Sequence, residues 1–319
     1  MTAFKRSQAK YVKQSYQTTN WPKCEAGLRR RGSLTVWISE DKLVTWGPPD
    51  RGQRKPGGQQ RYSDHAIETA VTVGMVFRLA LRQTEGFLRF LFALLGLDCR
   101  VPHHTTISRH ARKLGKLPIC SVAGDKPIHI LVDSTGLKIH VGALRKPPKT
   151  RDWRKLHVTA NPLAGDVIAC DLTRKCAHDA SRVPALLKQI DCPLAPFTAD
   201  GAYHQTAVYE AVENHTAIRS PRVLIPPKSN AQVKPEAAIL RERNRNIRSR
   251  ARLGNRKWHT NSGYSRRSLI ENTVYRYKTI IGPAMRSRTL QGQRVQARVG
   301  CRILNTLAAL GMPESQRVD

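Results

Sequence analysis

The stretch that decides how this chain is read is Tyr264-Ser-Arg-Arg267-Ser-Leu-Ile-Glu271-Asn-Thr-Val-Tyr-Arg-Tyr-Lys278. One carboxylate, Glu271, stands among a tyrosine, an arginine and a lysine. At roughly 100° per residue on an α-helix, Tyr264, Arg267, Glu271 and Lys278 fall within about 60° of one another and share one face. A lone acid framed by phosphate-seeking groups points to metal-assisted phosphoryl chemistry on DNA. The same residues also fit a solvated helix face tied by i,i+4 ion pairs, Arg267 with Glu271 among them.

Composition weighs on that choice. Lys and Arg number 55 against 23 Asp and Glu, a formal charge of +32 and a pI near 10.7. An excess this large is an electrostatic footprint for a polyanion. Duplex DNA is the natural candidate, because affinity there comes largely from neutralised phosphates; an RNA-binding protein would carry the same charge. The 319 residues, 40% of them hydrophobic, allow two domains or one with an appendage, and exclude a merely disordered basic tail.

The 7 cysteines are scattered and form no C-x-x-C pair, which argues against a disulfide framework or structural zinc and favours a reducing cytoplasm. The N-terminus has no apolar core of a secretory signal. The greasiest run, residues 87–97, is too short for a membrane span and is interrupted by Arg89.

Three regions follow along the chain. Residues 1–60 are basic, with Pro and Gly clusters at 47–49 and 55–58, and read as a phosphate-seeking arm; the amphipathic piece Ser33-Leu-Thr-Val-Trp-Ile38 is expected as a strand or as a segment docked on the body. Residues 61–118 read as helices. One is capped near Ser63, a second runs over about 83–97, and a short basic third starts at His104. This pattern suggests a helix-turn-helix variant with Arg109, Arg112 and Lys113 facing phosphate or bases, or else a plain helical subdomain with a basic face.

Residues 119–319 alternate strands and helices, an α/β pattern. Strands are expected at 128–132, at 157–160 and 167–172 as a hairpin, at 197–199 and at 223–225. Helices are expected at 179–190, 205–213 and 293–310, and from Ser262 as N-cap to a stop at Gly282-Pro283. Residues 228–260 are basic and poorly patterned.

Asp133 and Asp200 each close an apolar strand, and Glu271 lies on the framed helix. A mixed sheet with a packed helix can bring all three together. Two hard divalent cations about 4 Å apart activate an attacking oxygen and stabilise a leaving oxygen at phosphorus, and Mg²⁺ prefers carboxylate and water oxygens. Each acid taken alone also reads as an ordinary cap of a turn or helix.

With these motifs in place, the sequence resembles bacterial insertion-sequence transposases of the DDE type, in the group called insertion sequence family five. Tyr264, Arg267, Glu271 and Lys278 match that superfamily's Y-x2-R-x3-E-x6-K signature. Ile130-Leu-Val-Asp-Ser-Thr-Gly136 looks like its first-aspartate motif, and Phe197-Thr-Ala-Asp-Gly-Ala-Tyr203 like its second. Shorter stretches (Arg31 to Trp37, Leu81 to Gly86, His104 to Ser108) also look familial, so the likeness covers most of the chain. It departs at Ala160-Asn161, where members often carry Asp.

The resemblance implies a ribonuclease-H-like mixed sheet with flanking helices over 119–319, preceded by the helical DNA-binding region at 61–118. It implies Asp133, Asp200 and Glu271 as catalytic, metal-binding residues for two Mg²⁺ ions, with Mn²⁺ able to substitute. Tyr264, Arg267 and Lys278 would hold the DNA near the cut. The implied partners are double-stranded DNA, as terminal inverted repeats and as target, and a second copy of the chain on DNA. The implied place is the cytoplasm, in association with the nucleoid, and no membrane is involved. The alternatives are a non-catalytic DNA-binding descendant of such an element and a nuclease that cuts without joining.

Overall fold

The structure, a computed structural model, describes residues 15–48, 60–116, 118–120, 126–139, 152–215, 221–235 and 238–318. The first elements are β1 (Ser15–Thr18), α1 (Trp21–Arg30), α2 (Glu40–Val44), α3 (Asp64–Val76), α4 (Leu81–Leu94) and α5 (His104–His110). Next come β2 (Ile128–Ile139), β3 (Trp153–Ala160), β4 (Val167–Arg174), α6 (Val183–Leu187), β5 (Leu194–Ala199), α7 (Thr206–His215) and β6 (Val223–Leu224). The chain closes with α8 (Arg241–Ser262), α9 (Leu269–Ile280), β7 (Ala284–Met285), α10 (Leu290–Ala309) and β8 (Ser315–Val318).

The central sheet runs β4-β3-β2-β5-β6, with β7 beside the far end of β2. β2, β3 and β4 form an antiparallel meander, because a short turn at Asn161 to Gly165 reverses the chain between β3 and β4. The chain then crosses by way of α6 to β5, which runs parallel to β2, and by way of α7 to β6, parallel to β5. Parallel neighbours require such helical crossovers. Three antiparallel strands followed by two parallel ones, with helices on both faces, make a ribonuclease-H-like mixed sheet.

Strand alternation sorts the side chains. Ile130 and Val132 of β2 face α6 and α7, packing with Val183, Leu186, Val208 and Val212. Leu131 and Leu137 face the opposite way, toward Ile270 and Tyr277 of α9 and Ala297, Cys301 and Leu304 of α10. A third core joins the N-terminal helices to the outer side of α10: Ile67, Ala70 and Val73 of α3 and Leu88 and Leu91 of α4 pack on Val295, Val299, Ile303 and Leu307.

Among the described residues, no helix is long and apolar enough to cross a membrane. The strands expected near 128, 157, 167, 197 and 223 are all present, and β2 continues past Asp133 to Ile139.

Three expectations need correction. Residues 15–48, read as part of a basic arm, carry β1, α1 and α2 and dock on the body. β1 pairs with β8, and a Cβ at Gly27 of α1 would come within 2.5 Å of the Leu310 carbonyl oxygen, so only glycine permits the approach. Trp37 and Ile38 are buried in the helical core, which takes the docking rather than the strand alternative. The remainder of that arm, 1–14 and 49–59, lies outside the described residues. Secondly, the unpatterned segment 241–262 is a helix, broken at Gly254 where φ is 74°. Thirdly, the signature stretch is not one α-helix. Ser262 ends α8, Gly263 takes a left-handed turn at φ 76°, Tyr264–Ser268 wind as a tighter 3-10 turn, and α9 begins only at Leu269.

Candidate active site

The parallel pairing of β2 with β5 sets Val132 beside Ala199. Asp133 and Asp200 follow these two residues directly, so the acids stand side by side. β5 ends there because Asp200 Oδ1 accepts the Ala202 N–H at 2.8 Å and caps a turn over Gly201–Tyr203. That is the ordinary turn-capping role, and it occupies one of the two carboxylate oxygens. Asp133, by alternation, lies on the sheet face covered by α9, whose Ile270 is buried against the sheet. Glu271 follows Ile270 and projects outward, its side chain 61% exposed.

Arg267 ties the group together. Its Nη1 lies 3.3 Å from Asp133 Oδ2 and its Nη2 lies 2.7 Å from Glu271 Oε1. Asp133 Oδ1 also accepts the Ser134 N–H at 2.7 Å. The acids feel one another. Burial pushes the Asp133 carboxyl above its ordinary value; the Ser134 N–H and Arg267 oppose this, and the charges of Asp200 and Glu271 add to it.

Tyr264 is buried against Trp258 and His259. Burial pushes its hydroxyl up to about 12, with Arg267 pulling down and Asp200 and Asp133 pushing further. Tyr264 therefore reaches the acids by tertiary packing, not by one α-helical face, whereas Arg267 meets Glu271 as a local i,i+4 pair. Lys278 is half-buried and stands about two turns along α9 from Glu271, on the same side of that helix. Arg109, Arg112 and Lys113 are exposed on α5 and the 3-10 turn Ala111–Lys116, in the helical layer and not among the carboxylates.

On the other face of β2, one residue from Asp133, lies a polar cluster that sequence reasoning missed. Ser134 pairs across the sheet with His157, which pairs in turn with Asp171. His157 is fully buried, its Nε2 is 2.9 Å from Thr173 Oγ1, and its Nδ1 is 3.5 Å from Asp179, which Lys155 approaches at 3.0 Å. Burial lowers the His157 ring to about 4, against the pull of Asp179 and Asp171, so the imidazole is neutral at pH 7. Tyr203, at the end of the Asp200 turn, is raised by burial and by Asp179, Asp133 and Asp200. The one signal in the sequence was Tyr203's place at the end of the second-aspartate motif; nothing there marked Lys155 or His157.

A group of one carboxylate and two imidazoles lies in the helical layer, where Glu85, His103 and His104 bring one ligand atom each within 4.8 Å of one another. Glu85 Oε2 accepts both the backbone N–H of His104, at 2.9 Å, and its ring Nδ1, at 2.8 Å, while Oε1 pairs with Arg89. These bonds cap the start of α5 and fasten it to α4.

The donor set at the sheet suits a hard divalent cation. Carboxylates come from β2, the β5 turn and α9, and the Arg267 guanidinium bridges two of them, Asp133 and Glu271; as they stand, the three acids do not all lie within 4.8 Å of one another.

Residues 124–306 match a protein family described as "Transposase DDE domain", and residues 29–142 match another family of the same description. Among solved structures, a piggyBac transposase synaptic complex with hairpin DNA is similar at 10% sequence identity with a TM-score of 0.37, over 92% of this chain and 76% of that one; a likeness this loose carries no argument.

Proposed function

This chain belongs to the transposase DDE domain family, and on that premise we propose that it cuts DNA at the ends of an insertion sequence of family five and joins the freed ends to target DNA. Asp133, Asp200 and Glu271 would hold two Mg²⁺ ions, or Mn²⁺ in their place. The observation that supports this best is the convergence of Asp133 and Asp200, side by side on parallel strands, with Glu271 of α9 tied to Asp133 through Arg267.

When bound, the ions supply charge stabilisation at phosphorus and an activated attacking oxygen. The protein's own contribution is placement. β2 and β5 fix the two aspartates side by side on neighbouring interior strands of a rigid sheet, whereas Glu271 projects from α9 toward solvent, where the scissile strand must arrive. Arg267 and Tyr264 stand beside these acids and Lys278 lies about two turns along α9; they would offer a hydroxyl and two cations suited to phosphate. Arg109, Arg112 and Lys113, exposed on the helical layer, hold the flanking duplex. Two ends must be cut together, so a homodimer on DNA is the working assembly, in the cytoplasm at the nucleoid.

The test uses a supercoiled plasmid carrying the gene's own flanking DNA, incubated with Mg²⁺ or Mn²⁺. The wild-type protein should give metal-dependent cuts at defined ends and a joined product. Glu271→Gln should lower cutting by about a hundredfold or more, the scale of removing one charge-stabilising group, while still shifting the DNA in a gel. Cutting retained in the variant refutes the triad. DNA shifted but never cut by either protein would instead mark a binding-only descendant.

A further inference from the structure

Two of the carboxylates already share a cation. One guanidinium spans the gap between β2 and α9, with Arg267 Nη1 3.3 Å from Asp133 Oδ2 and Nη2 2.7 Å from Glu271 Oε1. A small divalent ion held by the same pair needs both oxygens about 2.1 Å from itself. The guanidinium has N–H donors and no lone pair, so it cannot enter that coordination sphere, and it would face the ion as a like charge. Metal and Arg267 therefore compete for one locus.

We infer that Arg267 is the resident counter-cation of the Asp133–Glu271 pair, displaced by metal and handed to a DNA phosphate beside the same acids, so that metal and DNA bind with positive coupling. The inference rests on the reading of Asp133 and Glu271 as metal ligands.

The geometry gives Arg267 a way out. Its side chain is 22% exposed, and Ser265, Arg266, Ser268 and Leu269 around it are exposed too. The bond to Glu271 is an i,i+4 contact with a largely solvated partner, a type that is weak and readily broken. The contact with Asp133 is the better shielded one, at 19% exposure. A rotation of the arginine side chain then suffices, with no movement of the 3-10 turn.

In the resting protein the same guanidinium relieves repulsion between acids on two elements, β2 and α9, and keeps them together. Lysine would not do this, because it lacks the fork that reaches two carboxylates at once. Coupling is reciprocal by thermodynamic necessity: a phosphate that draws Arg267 away opens the locus to metal, just as metal frees Arg267 for phosphate.

The experiment measures Mn²⁺ binding to the full chain by electron paramagnetic resonance of the free ion, with and without a short duplex of unrelated sequence that is bound but not cut. Wild-type protein should bind Mn²⁺ more tightly when the duplex is present. Arg267→Gln, without DNA, should bind Mn²⁺ on the order of fivefold or more tighter than wild type, and the duplex should add nothing further. Arg267→Lys, which keeps the charge and serves if the Gln variant does not fold, should show a smaller gain of the same sign.

Affinity at or below wild type in the folded Arg267 variants overturns the inference. Asp133→Asn and Glu271→Gln are the separate control: if they bind Mn²⁺ as wild type does, the metal-ligand reading itself is wrong.

Discussion

Glu85 makes the residue-scale case that a strongly perturbed acid can be a structural part. Its carboxyl is held down to about 2, first by the His104 N–H at the start of α5, then by the His104 ring, Arg89 and His103, with burial opposing. A folded-state value below the ordinary 4.5 means the group stabilises the fold fully above that value, and the benefit fades as pH falls toward 2. Glu85→Gln is expected to cost about 1–2 kcal/mol at pH 7. The melting temperatures of variant and wild type should draw together as pH falls from about 4.5 to about 2; a gap that stays constant contradicts the assignment. At the sheet, Asp133 and Asp200 were legible because each closes an apolar run, and Asp200 precedes a glycine turn. The Arg267–Glu271 pair was legible from i,i+4 spacing. The reach of Arg267 to Asp133 was not, because the two lie 134 residues apart and meet only through the packing of α9 on the sheet.

At the scale of elements, what escaped sequence reading is what buries polar groups. α8 shows no apolar stripe because its buried positions are mostly Arg243, Asn244, Asn246 and Ser262, with Trp258 the one large apolar exception. They are held by hydrogen bonds: Arg243 to the Gln232 carbonyl, Asn244 to the backbone of Lys234, Asn246 to the Val223 carbonyl. A period of 3.6 written in such residues is invisible to hydrophobic pattern. β1 escapes pattern for a different reason: its pairing with β8 joins the two ends of the described chain and leaves three of its four residues exposed, so no apolar alternation marks it. The break between α8 and α9 depends on Gly263, whose φ of 76° is hostile to any side chain. Gly263→Val should cost about 1–2 kcal/mol. It should also shift Tyr264 and Arg267 away from the acids, so thermal melting and DNA cutting should both suffer. A variant with a lowered melting temperature and normal cutting would show that the turn does not set the site.

Over the whole molecule, the helical layer and the sheet domain are bound chiefly by one element, with Ile280 and Ile281 at the end of α9 adding to it. α10 presents Ala297, Cys301 and Leu304 to the sheet and Val295, Val299, Ile303 and Leu307 to α3 and α4, and Arg302 pairs with Glu68 of α3 at 2.7 Å. A fragment beginning at residue 126 would bare the second set, so it should aggregate or lose its sharp melting transition; a monomeric, cooperatively folding fragment would show that the two layers are independent. The large positive charge has its outlet along exposed Arg245, Arg248, Arg252 and Arg256 of α8, which leads into the candidate site through Gly263. If six to ten phosphates are neutralised, log K for duplex binding should fall against log salt with a slope of about −5 to −9, since each phosphate contributes about −0.9. Replacing Arg252 and Arg256 together by Ala should then flatten the slope by about 2 and weaken specific and unrelated duplexes alike. Loss confined to the element's own ends would instead make α8 a reader of sequence, and an unchanged slope would move the DNA path off this helix altogether.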